Sequence, residues 1–100
     1  MAYVLTSDAA EDLEGVWQFS FERWGADQTD AYLARIEACL TRISAGEAHC
    51  RSYPELDTRL KSHHCEHHYI FFLEGADKVT VIAVLFERMD LLVRLRHRLK

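Results

Sequence analysis

The 100-residue chain has one proline and three cysteines, and both scarcities narrow what it can be. Cys39, Cys50 and Cys65 are an odd set with no C-x-x-C pair. That argues against a secreted disulfide scaffold and for a reducing cytosol. No apolar run approaches the roughly 20 residues of a membrane span. The opening Met1-Ala2-Tyr3-Val4-Leu5-Thr6 runs into acids, unlike the charged and apolar regions of a signal peptide. A cytoplasmic protein with no membrane partner is expected. Internal repeats, low-complexity segments and long linkers are all missing, so residues 1–100 are expected to form one domain.

What is present is a core's worth of apolar residues, 49% of the chain. A domain of this size is stable by roughly 5–15 kcal/mol, so a tight partner adds much to its lifetime. The formal charge is −4 but unevenly spread: residues 1–50 hold nine acids and three arginines, residues 51–100 nine bases and seven acids. From Arg88 to Lys100 five bases face one acid, Asp90. Such a tail suits a partner with a negative surface, or simply solvates one helix face.

Ala2–Thr6 reads as a strand. Ser7 or Asp8 is positioned to cap a helix, and Asp8 with Glu11 has capping-box spacing. Leu13, Trp17, Phe21 and Trp24 then recur at helical steps, with Val16 at the edge, so the three large rings are expected in the core. Gly25 stops this helix. Asp27 is the expected cap of a second helix with the stripe Tyr32, Ile36, Cys39, Leu40 and Ile43. The short loop makes the pair an antiparallel hairpin. Gly46–Pro54 reads as connection. Arg59–Cys65 has the weak alternation of an edge strand, and His67–Leu73 is aromatic and apolar. After the turn Glu74–Asp77, Lys78–Phe86 is apolar almost throughout, as a central strand buried on both faces would be. Leu91, Leu92, Leu95 and Leu99 place a short helix at the end. The expected architecture is α+β, in the order β-α-α-β-β-β-α. The hairpin packs on a mostly antiparallel sheet, and the first strand lies parallel beside the last.

The densest run of ligand-type residues is His63-His64-Cys65-Glu66-His67-His68. On a strand, His63, Cys65 and His67 share a side, as zinc ligands do. The alternative is a polar strand face with His68 pinned by a hydrogen bond and His67 exposed. That reading is preferred, because no second ligand pair with finger spacing exists. No metal and no cofactor are expected. Phe19 lies half a turn from the apolar stripe, among Glu11, Asp12 and Glu22, where a large ring often marks a partner contact.

Four segments carry a family resemblance over almost the whole chain. They are Leu5-Thr6-x-x-Ala9-x-x-Asp12-Leu13, Trp24-Gly25-x-x-Gln28-x-x-x-Tyr32, Glu66-His67-His68-Tyr69-Ile70-Phe71-Phe72 and Val84-Leu85-Phe86-Glu87-Arg88-Met89-Asp90-Leu91. Together they resemble the ParE toxins of the ParE/RelE superfamily of type II toxin–antitoxin modules. The resemblance implies a growth inhibitor that binds DNA gyrase. It also implies neutralisation by a ParD-like ribbon-helix-helix antitoxin, and no sequence-specific DNA binding by the toxin alone. Phe86 departs from the histidine many relatives carry there, and it cannot shuttle a proton. The RelE branch shares the fold and cuts mRNA on the ribosome, which requires a general base and a cationic or acidic partner. Arg59, Lys61, His63, His64, His67, His68 and Arg88 are the candidates for that chemistry. The reading adopted is the binding toxin, without catalytic residues. Its expected target surface is Arg88, Arg94, Arg98 and Lys100, turned outward by the docking of Leu92, Leu95 and Leu99. Phe19, Arg59 and Lys61 are the expected antitoxin contacts.

The histidine run supplies a direct test. Protein purified without a polyhistidine tag is expected to hold no stoichiometric zinc after dialysis. One equivalent per chain in elemental analysis would show the cluster to be a metal site.

Overall fold

The structure is a computed structural model that describes residues 2–99; Lys100 lies outside the described residues. The elements are β1 (Ala2–Leu5), α1 (Ser7–Trp24), α2 (Ala26–Ser44), β2 (Arg51–Ser52), β3 (Leu60–Cys65), β4 (His68–Glu74), β5 (Lys78–Phe86) and α3 (Leu91–Arg98). The expected order holds with one addition, the two-residue β2 inside the segment read as connection. Strand order in the sheet is β1-β5-β4-β3-β2, with β1 parallel to β5 and the remaining pairs antiparallel.

Both expected helix caps are corrected. Thr6, one residue earlier than Ser7, caps α1 by accepting from the Ala9 amide at 3.1 Å. Asp8 instead sits in the first turn, where its charge meets the helix dipole. Gly25 alone joins the two helices. Its φ of 83° suits glycine, its N–H reaches Phe21 O at 3.0 Å, and α2 begins directly after it without a side-chain cap. Asp27 therefore lies within the first turn of α2.

The sheet is covered on both faces. Val16, Tyr32, Ile36, Leu40 and Ile43 of the hairpin pack with Ile70, Phe72, Val79, Val81 and Val84. On the other face Leu60, Phe71, Ile82, Ala83 and Leu85 pack with Leu95 of α3, flanked by Leu91 and Leu99. A register shift makes this possible. Phe71 pairs with Ala83 and Phe72 with Val81, which leaves Ile82 as an extra residue in β5. The bulge moves the hairpin-facing set from Val79 and Val81 to Val84.

The rings expected in the core are outside it. Trp17, Phe21 and Trp24 are 46%, 44% and 50% exposed, and Trp17 stacks on Phe21 at 5.0 Å. The face of α1 turned to the sheet carries Ala9, Val16 and Ser20. These small residues let the helix sit close, and at about 100° per residue the large rings fall to the side of that face.

The C-terminal helix corrects a second expectation. Arg98 does not point outward: its guanidinium grips the Asp12 carboxylate through two hydrogen bonds, at 2.9 and 3.0 Å. The two side chains are only 17% and 15% exposed. The stripe that docks α3 is Leu91, Leu95 and Leu99, with Arg98 on the same side, whereas Leu92 is exposed. The pair also completes the sheet edge. Strand β1 pairs with β5 only as far as Val81. Beyond that point Arg98 donates to Ile82 O at 2.8 Å, and Asp12 accepts from the Val84 amide at 2.9 Å. The side-chain pair thus supplies hydrogen bonds to β5 where the neighbouring strand has ended.

A second buried polar link joins α2 to the β3–β4 hairpin. Tyr32 Oη lies 2.7 Å from His68 Nδ1 and accepts from the His67 amide at 3.1 Å. Donation of the hydroxyl proton to Nδ1 satisfies His68 as the neutral ring, the form that burial favours. Burial holds the His68 pKa below its usual 6.5 and pushes the Tyr32 hydroxyl up. His68 is pinned and His67 exposed, as read from the sequence. Near this link Cys39 and Cys65 form a disulfide between α2 and β3, while Cys50 remains a thiol. The odd cysteine count leaves room for one bridge, which the reading of a reducing cytosol did not anticipate.

Two outcomes follow. Arg98→Ala leaves the Asp12 carboxylate unpaired in a largely buried site. It is expected to cost about 3 kcal/mol and to lower Tm by on the order of 10–20 °C in thermal unfolding. The double variant Asp12→Leu/Arg98→Met is expected to recover part of that loss, because it removes both charges. For His68 the unfolded chain binds the proton more readily than the folded one. Stability should therefore fall as pH drops below about 6.5, above the range where Glu87, itself lowered from 4.5 chiefly by its His64 hydrogen bond, begins to protonate. Denaturant titrations at pH 7.5 and 5.5 should show the loss in the parent chain and a smaller one in His68→Gln.

Candidate functional site

Beside the Asp12–Arg98 pair the surface opens into an apolar groove of about 530 Å³. Its walls come from elements far apart in sequence: Val16, Phe19 and Trp24 of α1, Tyr32 of α2, His67 and His68 at the β3–β4 turn, and Val84 to Phe86 at the end of β5. Met89 and Arg94, before and within α3, close the remaining side. Gly15 also lines the groove and adds no side chain there.

Local chemistry positions the large groups. His68, fixed by Tyr32, meets the Phe86 ring edge-to-face at 5.6 Å. Arg35 stands over the outer face of Tyr32 at 5.4 Å and pairs with Glu66 at 3.0 Å. Phe19 is 54% exposed, with the Arg23 guanidinium 4.6 Å from its ring centre. Phe86, Met89 and Trp24 are also exposed. The result is a preformed apolar trough with Glu11 and Arg94 at its edges, suited to covering by an amphipathic segment.

The residues singled out in the sequence are divided between this groove and other places. Phe19 and Arg94 are brought together as groove lining, although one was read as an antitoxin contact and the other as part of the target surface. Arg88 is exposed between Phe86 and Met89. Arg98 lies beneath, committed to Asp12. Arg59 and Lys61 stand at the opposite end of β3. Arg59 is paired with Asp57 at 3.1 Å and Lys61 with Glu74 at 2.9 Å. The sequence reading missed Tyr32, Trp24, Phe86 and Met89 as groove residues; the available signal was that several are apolar and adjoin Gly25 or the basic tail.

The histidine run is dispersed. His63 donates from Nδ1 to His49 O at 2.8 Å. His64 and His67 share Glu87, at 2.7 and 3.3 Å, which holds that carboxyl below its usual range. Cys65 is spent in the disulfide. His67 falls in the turn after β3, out of register with His63 and Cys65. Among the described residues no three His, Cys, Asp or Glu side chains gather as a metal would require.

Comparison with known proteins bears on the family and the fold. Residues 3–91 match the family model described as the ParE toxin of the type II toxin–antitoxin system parDE. The chain is 43% identical over 100 residues to Toxin ParE of Escherichia coli, covering 99% of this chain and 97% of that protein. It is 29% identical over 89 residues to Toxin ParE1 of Mycobacterium tuberculosis (strain CDC 1551 / Oshkosh), covering 88% and 91%. Among solved structures, a chain of the chromosomal ParDE TA system from P. aeruginosa superposes with a TM-score of 0.70 at 13% identity. That match covers 86% of this chain and 95% of the other, a likeness of fold. With the family model spanning all but the last turns of the molecule, this chain belongs to the ParE toxin family of type II toxin–antitoxin systems.

Proposed function

We propose that this protein is a cytosolic toxin that inhibits DNA gyrase by binding, and that a ParD-like antitoxin neutralises it by filling the α1–β5–α3 groove. The observation that carries the antitoxin half is the groove itself, which sets exposed Phe19, Trp24, Phe86 and Met89 beside Arg94. Apolar surface of this kind gains most from an amphipathic helix whose buried side chains enter the trough and whose acidic side meets Arg94. An antitoxin tail wrapping the toxin is expected to bury at least about 1,600 Å². Because Arg94 lines the groove and Arg88 stands just outside it, the same occupant covers part of the proposed target surface. Neutralisation by occlusion then needs no change of shape.

The gyrase half rests on family membership. The geometry supports a binding mode over catalysis. His64, His67, Arg59 and Lys61 are each engaged with a carboxylate, and His68 is buried against Tyr32. Arg88 and Arg94, exposed at the groove and beside it, are the cations proposed to meet a target. Arg98 acts indirectly, by holding α3 in place. Among the described residues no helix is long and apolar enough to cross a membrane.

The test is a gyrase supercoiling assay run beside a ribosome-dependent mRNA cleavage assay. Inhibition of supercoiling relieved by stoichiometric antitoxin is expected. Message cleavage without effect on supercoiling would replace this reading with the ribonuclease one. Phe19→Asp should weaken antitoxin binding by roughly 100-fold, measured by calorimetry, while moving Tm little because the ring is exposed. Arg88→Ala/Arg94→Ala should lower gyrase inhibition by about tenfold or more. Undiminished inhibition would move the target surface away from this corner.

A further inference from the structure

We propose that Cys39 and Cys65 are a reversible redox modification site, oxidised by low-molecular-weight disulfides and reduced by thiols, that sets how firmly the helical hairpin is tied to the sheet. The two residues come from different layers. Cys39 lies on the sheet-facing stripe of α2, seven residues after Tyr32, and Cys65 ends β3 directly across from His68. Their α-carbons are 6.4 Å apart, a separation that a bond spans without backbone movement. The hydrogen bond between Tyr32 and His68, which starts β4 and pairs with Cys65, independently holds α2 to the same β3–β4 hairpin. The sulfurs therefore stay close when the bond is reduced, as a reversible pair requires.

The surroundings favour exchange over permanent closure. Arg42 places its guanidinium 3.3 Å from Cys39 Sγ, and a cation beside sulfur favours the thiolate, the species that attacks a disulfide. Both sulfurs are buried, so reagents reach them when the C-terminal end of α2 opens locally. In the oxidising direction the Cys39 thiolate attacks a small disulfide RSSR, forming a Cys39–S–S–R bond and releasing one thiolate RS⁻. The Cys65 thiolate then attacks Cys39 Sγ and expels the second RS⁻. The protein loses two electrons and two protons, and RSSR becomes two RSH. Cys50, half-buried on the loop before β2, hydrogen-bonds the Ala48 carbonyl and stands apart from this pair.

The bond closes a loop between residues 26 apart in sequence. Constraining the unfolded chain by a loop of this length should raise Tm by on the order of 10–20 °C. A toxin oxidised in this way outlasts its reduced form whenever unfolding limits its survival, whatever partner it has.

The test uses the full chain equilibrated with glutathione disulfide or with reduced glutathione. After oxidation, alkylation under denaturing conditions should label one thiol per chain, Cys50. Peptide mapping should find Cys39 joined to Cys65, two glutathiones should be released per chain, and Tm should rise as stated. Cys50→Ser should keep the response and Cys39→Ala should lose it. If the alanine variant fails to fold, the comparison of oxidised and reduced parent still decides. Three alkylated thiols after oxidation would overturn the proposal, as would a bond involving Cys50, a persistent glutathione adduct, or melting temperatures within about 2 °C of each other.

Discussion

The fold turns on one side-chain pair at an unfinished sheet edge. Strand β1 ends at Leu5, but β5 continues to Phe86, so part of β5 runs on without a strand neighbour on that side. Buried backbone groups must be paired, and an open edge invites the wrong partner. Asp12 from one face of the sheet and Arg98 from the other meet there, bond to each other, and serve Val84 N–H and Ile82 C=O. One interaction thus satisfies the edge, ties α1 to α3 across it, and keeps the last helix on the sheet. Satisfied hydrogen bonds on both charges are what allow such a pair to sit with so little solvent.

The groove depends on this arrangement. Its walls are the same α1 and β5 segments that the pair joins, and its far side is the chain leading into α3. Small residues on α1 bring that helix close to the sheet and leave Trp17, Phe21, Trp24 and Phe19 outside the core. For a domain of this size such exposure is a large surrender of apolar burial. Under the proposed function, an antitoxin seated in the groove covers part of that surface.

The Tyr32–His68 link and the Cys39–Cys65 bond fasten the opposite side of the same hairpin. His67 and His68 border the groove, and their backbone is set by Tyr32 from α2. The hairpin is therefore held to the sheet along two lines, a charged one at β5 and a neutral and covalent one at the β3–β4 turn. The groove lies between them, which is why its walls are preformed in the isolated chain.

Much of the architecture was legible in local pattern. Gly25 as a break, the apolar stripe of α2, the doubly buried β5 and the parallel return of β1 follow from periodicity and turn chemistry, because burial on a helix or strand imposes a spacing on the chain itself. The exposure of Phe19 and the pinned His68 were legible for the same reason: each is out of step with, or adjacent to, an apolar pattern. Four further segments carried the family, since a distributed motif survives where any single one is weak. What local pattern could not decide was which of two neighbouring faces of α1 meets the sheet, because Ala9, Val16 and Ser20 have the same helical spacing as Trp17, Phe21 and Trp24. Nor could it show that Arg98 is turned inward, since its partner Asp12 is 86 residues away and a basic residue in a short helix otherwise belongs in solvent. Spacing along the chain determined the elements, their order and the family. The depth of the packing, the inward arginine, the cysteine pair and the groove were decided only when distant residues met, because each is a property of close approach in space.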